Sequence, residues 1–148
     1  MRETLFNWLG QRLDGLSCLD LFAGSGALGF EALSRGARRV VMVERDRATA
    51  AALRASAQSL QAANLEIVES DAMRFLDRPG ERFDVVFVDP PYAENLAPVV
   101  MQRLAPHLEA QARVYAESAS PIDLPPDWQA VREDRAGAVR YALYEYAP

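Results

Sequence analysis

The sequence of 148 residues predicts an α/β protein built on one mostly parallel β-sheet. Apolar runs of strand length alternate with helical patterns from Ser17 to about Val114, which is typical of parallel strands joined by helices. The composition, with 50% hydrophobic and 25% charged residues, is that of an ordinary globular domain. A chain of this length has room for one such domain with a core, and a second will not fit.

The predicted elements follow one another in a regular order. An N-terminal helix is predicted over residues 2–13, because Leu5, Leu9 and Leu13 recur at helical spacing and are most simply part of the core. The predicted strands cover residues 17–22, 39–44, 65–70, 83–88 and 112–118. The predicted helices between them cover residues 26–36, 46–62, 71–77 and 95–108.

Turn-forming residues separate the last part of the chain from this pattern. Residues 118–127 are too rich in proline, serine and aspartate to form a crossover helix. Two short strands are predicted after them, over residues 128–134 and 138–146, joined by residues 135–137. We expect a hairpin that closes the sheet with an antiparallel edge. The complete sheet then has seven strands, of which the last is antiparallel.

Composition and charge exclude several classes of function. No apolar run approaches the ~20 residues needed to cross a bilayer, and the N-terminus lacks the pattern of a signal peptide, so we expect a cytoplasmic protein without a membrane partner. The formal net charge of −5 argues mildly against a protein that holds nucleic acid through its phosphates. The chain contains no lysine, which excludes a P-loop lysine and a Schiff base.

The single cysteine and the single histidine are predicted to have no chemical role. Cys18 lies in an apolar stretch and has no partner for an internal disulfide, so we interpret it as a buried structural thiol. His107 lies near the end of a predicted helix, beside Pro106, and we expect it at the surface. No group of Cys, His and carboxylates has the spacing of metal ligands, so no metal is predicted.

The first candidate site is the stretch DLFAGSGALG, residues 20–29. Its last six residues match the pattern G-x-G-x-x-G, which by itself indicates only a strand-to-helix turn that lets the backbone approach a ligand. A dinucleotide would place its phosphates at the start of the following helix, where a carboxylate at the mouth of the turn would repel them. Because Asp20 stands there, the sequence favours S-adenosylmethionine, whose positive sulfonium and ammonium groups a carboxylate helps to hold.

Acidic residues also follow the second and third predicted strands. Glu44 ends the apolar run 40–43, roughly 20 residues beyond the turn, where it could accept hydrogen bonds from both hydroxyls of a ribose. Asp71 could meet an adenine amino group. The alternatives are that Glu44 is a solvated strand end and that Asp71 is a helix N-cap.

The strongest candidate site is the tetrapeptide DPPY, residues 89–92, which follows the fourth strand and faces the same cleft as the glycine turn. The Asp89 side chain and the Pro90 carbonyl could accept hydrogen bonds from both N–H groups of an amino group on a nucleobase. This would turn the lone pair of the nitrogen toward a methyl group. Pro91 helps to fix the backbone, because each proline has a locked φ. Tyr92 offers a flat face on which the base could stack. The alternative is that Pro-Pro-Tyr simply ends a strand.

With these motifs the chain resembles the RsmD family, bacterial methyltransferases that act on the N2 amino group of one guanine in small-subunit ribosomal RNA. The resemblance covers nearly the whole chain. It rests on RETLFNWL (2–9), DLFAGSGALGFEALSRGA (20–37), FDVVFVDPPY (83–92) and VRYALY (139–144). It implies the fold of a class I S-adenosylmethionine-dependent methyltransferase, which is Rossmann-like.

The resemblance also implies the ligands and the residues that bind them. The cofactor S-adenosylmethionine is expected at Asp20, Phe22, Ala23, Gly24, Gly26, Glu44, Arg45, Asp71 and Ala72. The catalytic residues are expected to be Asp89, Pro90, Pro91 and Tyr92. The expected partner is 16S ribosomal RNA, within the assembled or assembling small subunit, and the chain is expected to be a monomer.

The sequence departs from the family pattern at its start. Members normally carry a few dozen residues, with a basic Arg-Pro stretch, ahead of the RETLFNWL helix, and here Met1 stands in their place. We therefore expect a single methyltransferase domain over residues 1–148 without that extension. The motifs alone leave open a methyltransferase acting on adenine N6 or cytosine N4 of DNA or another RNA. An oxidoreductase that binds NAD is a more distant alternative, disfavoured by Asp20 and DPPY.

Overall fold

A seven-stranded sheet organises the chain, which a computed structural model describes over residues 2–91 and 95–148. The strands are β1 (Ser17–Asp20), β2 (Arg39–Glu44), β3 (Leu65–Glu69), β4 (Phe83–Val88), β5 (Leu108–Ser118), β6 (Trp128–Ala136) and β7 (Val139–Tyr146). They lie in the order β3-β2-β1-β4-β5-β7-β6. Strands β1 to β5 are parallel, and β7 is antiparallel to both β5 and β6. The predicted α/β class, the seven strands and the antiparallel last strand are confirmed.

Helices cover both faces of this sheet. Within the described residues they are α1 (Arg2–Trp8), α2 (Ala27–Ser34), α3 (Arg47–Ser59), α4 (Ala72–Asp77) and α5 (Ala97–Arg103). Successive strand residues point to opposite faces, so that Val40 and Met42 of β2 join a core with α1, α2 and α3, while Val41 and Val43 join a core with α4 and α5. None of these helices is long and apolar enough to span a membrane.

The strand order leaves a crevice at one edge of the sheet. The chain leaves β1 toward β2 and β3 on one side, and then crosses to β4 and β5 on the other side. The connections that follow β1 and β4 therefore run away from each other beyond the carboxyl ends of the strands. In an open α/β sheet this reversal point is where ligands bind.

All five described helices are shorter than the sequence predicts, and α1 and α5 fall furthest short. Helix α1 ends at Trp8 because Gly10 and Gln11 adopt left-handed backbone angles, with φ of 94° and 72°. Leu5, Leu9 and Leu13 are nevertheless buried, which confirms their place in the core.

Helix α5 ends at Arg103, well before the predicted residue 108. Pro106 has no N–H for a bond to the carbonyl four residues earlier, so the helix cannot continue through it. A short 3-10 helix, Ala105–His107, follows α5 instead, and β5 begins directly after it at Leu108. The fifth strand is therefore longer than the predicted range 112–118.

His107 is buried, and the prediction that it lies at the surface is wrong. Its side chain is 2% exposed and stacks on the ring of Phe75, with 6.0 Å between the ring centroids. Nε2 lies 2.9 Å from the carbonyl oxygen of Leu76 and donates a hydrogen bond to it, which satisfies one of the carbonyls that the last turn of α4 leaves unpaired. Nδ1 has no hydrogen-bond partner among the described residues.

Cys18 is fully buried, as predicted for a structural thiol. Burial raises the pKa of its thiol to about 12, and the negative charge of Asp84 adds to this shift. Because the thiolate is the nucleophilic form of cysteine, Cys18 is inert at neutral pH.

Candidate functional site

A cavity of about 400 Å³ opens at the carboxyl edge of the sheet. Its described walls come from the segments that follow β1, β2, β3 and β4, together with one residue before α5. The lining residues are Asp20, Leu21, Phe22, Ala23, Gly24, Ser25, Ala27, Leu28, Val43, Glu44, Arg45, Ser70, Asp71, Ala72, Asp89, Pro90, Pro91 and Leu96. The structure thus brings together all the predicted site residues that it describes except Gly26. Tyr92 lies outside the described residues.

The glycine turn donates two of its amide groups to carboxylates of the protein itself. The N–H of Gly24 donates to Oε1 of Glu44 at 2.9 Å, and the N–H of Gly29 donates to Oδ2 of Asp20 at 3.1 Å. Amide groups at such a turn are the donors that bind phosphate in nucleotide sites. With the protein's carboxylates already on them, the turn is a poor place for the two phosphates of a dinucleotide.

Asp20 was predicted to lie at the mouth of the turn, but in the structure it lies deeper. Its side chain is 1% exposed and borders the inner end of the cavity. Burial raises the pKa of its carboxyl to about 7, and the negative charges of Asp89 and Glu44 contribute, while hydrogen bonds from the amides of Gly29 and Phe22 oppose the rise. Through its hydrogen bond from the Gly29 amide, Asp20 holds the glycine turn in place from the buried side. Direct contact with a cationic ligand stays a prediction.

The two glycines of the turn serve different purposes. Gly24 and Gly26 both adopt left-handed angles, with φ of 54° and 84°. A Cβ on Gly24 would meet nothing within 4 Å, whereas a Cβ on Gly26 would come within 2.5 Å of the Phe30 ring and 2.8 Å of the Leu53 side chain. Gly24 leaves space beside the cavity, and Gly26 allows the turn to pack against α2 and α3.

Glu44 is held in place at the end of β2 by hydrogen bonds to both of its carboxylate oxygens. Oε1 accepts from Gly24, and Oε2 accepts from the amide of Asp46 at 2.8 Å. Glu44 is half-buried, so its carboxylate is not simply a fully solvated strand end, and its role in ribose binding stays a prediction. The two hydrogen bonds hold its carboxylate on the cavity wall.

Asp71 caps the N-terminus of α4, as its alternative reading predicted. Its Oδ1 accepts hydrogen bonds from the amides of Met73 at 2.7 Å and Arg74 at 3.3 Å. Because Asp71 also lines the cavity, capping and ligand binding are compatible. The contact with an adenine amino group stays a prediction.

Asp89, Pro90 and Pro91 form a wall that two cavities share. They line the large cavity and also a small one of about 30 Å³, which Glu117 and Asn95 line as well. Asp89 is exposed. It is still partly shielded from water, and this desolvation, together with the negative charge of Glu117, raises its pKa to about 6. At neutral pH Asp89 is mostly a carboxylate, able to accept hydrogen bonds.

Several residues that line the cavities were not predicted from the sequence. Ser70 and Leu96 line the large cavity, but their residue types carry no chemical signal. Glu117 had a signal, because it stands near the carboxyl end of a predicted strand, as Glu44 does. Among the described residues, no group of three or more His, Cys, Asp and Glu side chains could hold a metal ion.

Comparison with known proteins identifies the family. A family model described as "Conserved hypothetical protein 95" matches residues 1–145. Ribosomal RNA small subunit methyltransferase D of Escherichia coli (strain K12) is 43% identical over 150 residues, which cover 98% of this chain and 76% of the relative. The chain belongs to the RsmD family. The protein of the same name from Haemophilus influenzae is 39% identical over 153 residues, covering 98% of this chain and 79% of the relative.

The RsmD fold is also recognisable by structure. A solved chain from Escherichia coli, provisionally named as a methyltransferase, superimposes with a TM-score of 0.94 at 41% sequence identity. The match covers 99% of this chain and 86% of that one. The predicted class I methyltransferase fold is confirmed.

Replacement of Gly26 by alanine is expected to destabilise the fold more than replacement of Gly24. Both alanines would occupy a left-handed conformation, which costs roughly 1–2 kcal/mol. Only the methyl group at position 26 would also collide with Phe30 and Leu53. Urea unfolding of the two variants and the wild type measures the difference. Equal free energies of unfolding for the two variants would contradict the packing role of Gly26.

Ionisation of Asp20 is expected to weaken the fold as the pH rises. The pKa of about 7 in the folded state lies above the usual unfolded value of about 3.9, so the folded state binds more protons between these values. The contribution of Asp20 is therefore most favourable below about pH 4 and is lost as the pH rises through about 7. The loss is on the order of a few kcal/mol.

Asp20→Asn keeps an acceptor for Gly29 but cannot ionise. We expect the variant to gain stability relative to the wild type between about pH 5 and pH 8, measured by urea unfolding at both values. The control is Glu66→Gln, at an exposed residue of β3. A stability difference between Asp20→Asn and wild type that does not change with pH would show that Asp20 does not titrate in this range.

Proposed function

We propose that this chain transfers the methyl group of S-adenosylmethionine to the exocyclic N2 amino group of a guanine in 16S ribosomal RNA. The observation that carries the proposal is the wall of Asp89, Pro90 and Pro91, which the large cavity shares with a small one. An amino group bound at this shared wall can come into direct contact with a methyl donor in the large cavity. The names of the relatives, ribosomal RNA small subunit methyltransferase D, support the reaction and the substrate.

The residues that line the large cavity fit the methyl donor. Among the described lining residues one side chain, Arg45, is basic, and four are acidic: Asp20, Glu44, Asp71 and Asp89. Asp20 is partly protonated near neutral pH, but the other three carboxylates still outnumber the single arginine. S-adenosylmethionine carries a sulfonium, an ammonium and one carboxylate, so the excess of negative charge favours it over a dinucleotide. When bound, it supplies an electrophilic methyl group.

The cofactor is assigned to the cavity residue by residue. Glu44, fixed by its bonds to backbone amides, accepts hydrogen bonds from the ribose hydroxyls. Asp71 and Ala72, at the start of α4, lie against the adenine. Phe22, Ala23, Gly24 and Arg45 complete the predicted contacts, and all of them line the cavity. Gly26 contributes through the shape of the turn.

The wall orients the amino group that receives the methyl group. The lone pair of an exocyclic amine is delocalised into the base, which makes its nitrogen a poor nucleophile. Asp89 and the Pro90 carbonyl accept hydrogen bonds from its two N–H groups, and the lone pair then points toward the methyl donor. As the new bond from nitrogen to the methyl carbon forms, the bond from sulfur to that carbon breaks, and the Asp89 carboxylate takes the proton that the nitrogen loses. Because the φ angles of Pro90 and Pro91 are locked, the carbonyl keeps its direction without help from the substrate. Stacking of the base on Tyr92 stays a prediction.

The biological setting forms part of the proposal. We infer that residues 1–148 work as one methyltransferase domain, as a monomer in the bacterial cytoplasm. The substrate is 16S ribosomal RNA within the assembled or assembling small subunit. Removal of the target guanine from its stack costs a few kcal/mol, which contacts with the protein have to offset.

The protein is expected to bind S-adenosylhomocysteine or S-adenosylmethionine and to show no measurable affinity for NAD. Glu44→Ala should weaken the cofactor by about 1.5–3 kcal/mol, because hydrogen bonds to a charged group are lost. Titration calorimetry with each ligand measures these affinities. The matched control is Glu69→Ala, at the exposed end of the neighbouring strand. Binding of NAD, or equal cofactor affinity in Glu44→Ala and wild type, would contradict the assignment.

Unmodified small subunits incubated with the protein and labelled S-adenosylmethionine are expected to gain N2-methylguanosine, detected by mass analysis of the nucleosides. Asp89→Ala should lower turnover by roughly a hundredfold or more, corresponding to about 2.7 kcal/mol of transition-state stabilisation. Its thermal stability should change little, because the side chain is exposed. Asp123→Ala, at another exposed aspartate, serves as control. Methylation of adenine or cytosine instead, or normal turnover in Asp89→Ala, would overturn the proposal.

A further inference from the structure

Glu117 stands beside Asp89 at the carboxyl edge of the sheet. Strands β4 and β5 are paired in register, with Val88 opposite Ala116, so the next residues along the two strands are Asp89 and Glu117. Both line the small cavity, together with Pro90 and Pro91. The negative charge of Glu117 also raises the pKa of Asp89, which is consistent with their proximity.

The carboxylate of Glu117 is held by a buried tyrosine. The hydroxyl of Tyr115 donates a hydrogen bond of 2.6 Å to Oε2 of Glu117. Tyr115 is 1% exposed, so its ring is fixed in the core. Burial and the hydrogen bond to Glu117 raise the pKa of the phenol, which therefore remains a donor at neutral pH. Glu117 thus presents a positioned acceptor to the small cavity.

The nucleobases that carry an exocyclic amine differ at the neighbouring ring atom. In guanine the N2 amino group lies next to N1–H, which is a hydrogen-bond donor. In adenine the N6 amino group lies next to N1 without a hydrogen, and in cytosine the N4 amino group lies next to N3 without a hydrogen. These two atoms are acceptors and would face a carboxylate with like partial charge. A second fixed acceptor beside the amine site therefore distinguishes guanine from the other two bases.

We propose that Glu117 accepts the N1–H of the target guanine and thereby selects guanine over adenine and cytosine. The proposal rests on the proposed function, because it places the guanine amino group at Asp89 and the Pro90 carbonyl. Glu117 is then a specificity-determining residue of the same site. Tyr115 is a positioning residue that acts through Glu117.

The size of the preference for guanine depends on the cost of leaving the Glu117 carboxylate without a hydrogen-bond donor. A site built around a hydrogen bond rejects an analogue that lacks the partner, because a buried acceptor is left unsatisfied. Hydrogen bonds to charged groups account for roughly tenfold to a hundredfold in relative rate. Loss of the N1–H should therefore be visible in kcat/KM for the substrate.

The test changes the acceptor on the protein and the donor on the substrate together. Small subunits are reconstituted with 16S ribosomal RNA that carries either guanine or 2-aminopurine at the position methylated by the wild type. 2-Aminopurine keeps the 2-amino group but has no hydrogen on N1. Initial rates with labelled S-adenosylmethionine give kcat/KM for both substrates with the wild type, Glu117→Gln and the control Glu109→Gln, at an exposed residue of the same strand.

The wild type is expected to prefer guanine by roughly tenfold to a hundredfold. In Glu117→Gln the rate on guanine should fall, while the amide can donate to the bare N1 of 2-aminopurine, so the preference should shrink by about tenfold or more. Glu109→Gln should keep the wild-type preference. Partial unfolding of a variant does not alter the result, because each preference is a ratio measured on one preparation.

Two failures lead to different conclusions. If the wild type forms no methylated guanine, the proposed function is overturned and this inference with it. If the wild type methylates guanine but Glu117→Gln keeps the wild-type ratio between guanine and 2-aminopurine, only the inference is overturned. Tyr115→Phe, which removes the hydroxyl that holds Glu117, should lower the same ratio, and an unchanged ratio there would exclude Tyr115 as a positioning residue.

Discussion

The hydrogen bonds from the glycine turn to Asp20 and Glu44 determine what this site can bind. A strand-to-helix turn with free amides attracts anions, and the same backbone shape serves nucleotide enzymes in that way. Here the amides of Gly24 and Gly29 are bonded to carboxylates of the protein. The turn still lets the backbone approach a ligand closely, but it now favours a cationic ligand over an anionic one. The assignment of the large cavity to a cationic cofactor depends on this reversal.

The parallel sheet places the two halves of the reaction next to each other. Asp20 lies opposite Met42 of β2 on one side and Phe87 of β4 on the other. The segments that follow these strands therefore emerge at one level, with the cofactor residues after β1, β2 and β3 and the amine-orienting residues after β4. Strand β5 continues the edge and brings Glu117 beside Asp89. Strand register thus sets the level at which each segment of the site begins, and the turns and helix starts that follow place the individual groups.

Much of this arrangement could be predicted from the sequence, because the strands are apolar runs and the acidic residues stand at their ends. The seven strands, the antiparallel last strand and the presence of these acidic residues in one cavity agree with those patterns. The sequence could not show that Asp20 is buried, since burial depends on how α2 packs over the turn. Glu117 stands at a strand end as Glu44 does, but its place beside Asp89 depends on which strand pairs with β4, and a local pattern does not contain that information.

His107 shows how a residue outside every motif can govern the site. Helix α4 has only six residues and is too short to be stable alone. Asp71 satisfies amides at its first turn, and His107 satisfies a carbonyl in its last. Hydrogen bonds therefore hold α4 at both ends. Asp71, a cavity residue, bonds to its first turn, and His107, which directly precedes β5, bonds to its last. The position of Asp71 and Ala72 in the cavity therefore depends in part on His107, which lies in a distant segment of the chain. A substitution that displaces His107 would change ligand affinity although His107 makes no contact with the ligand.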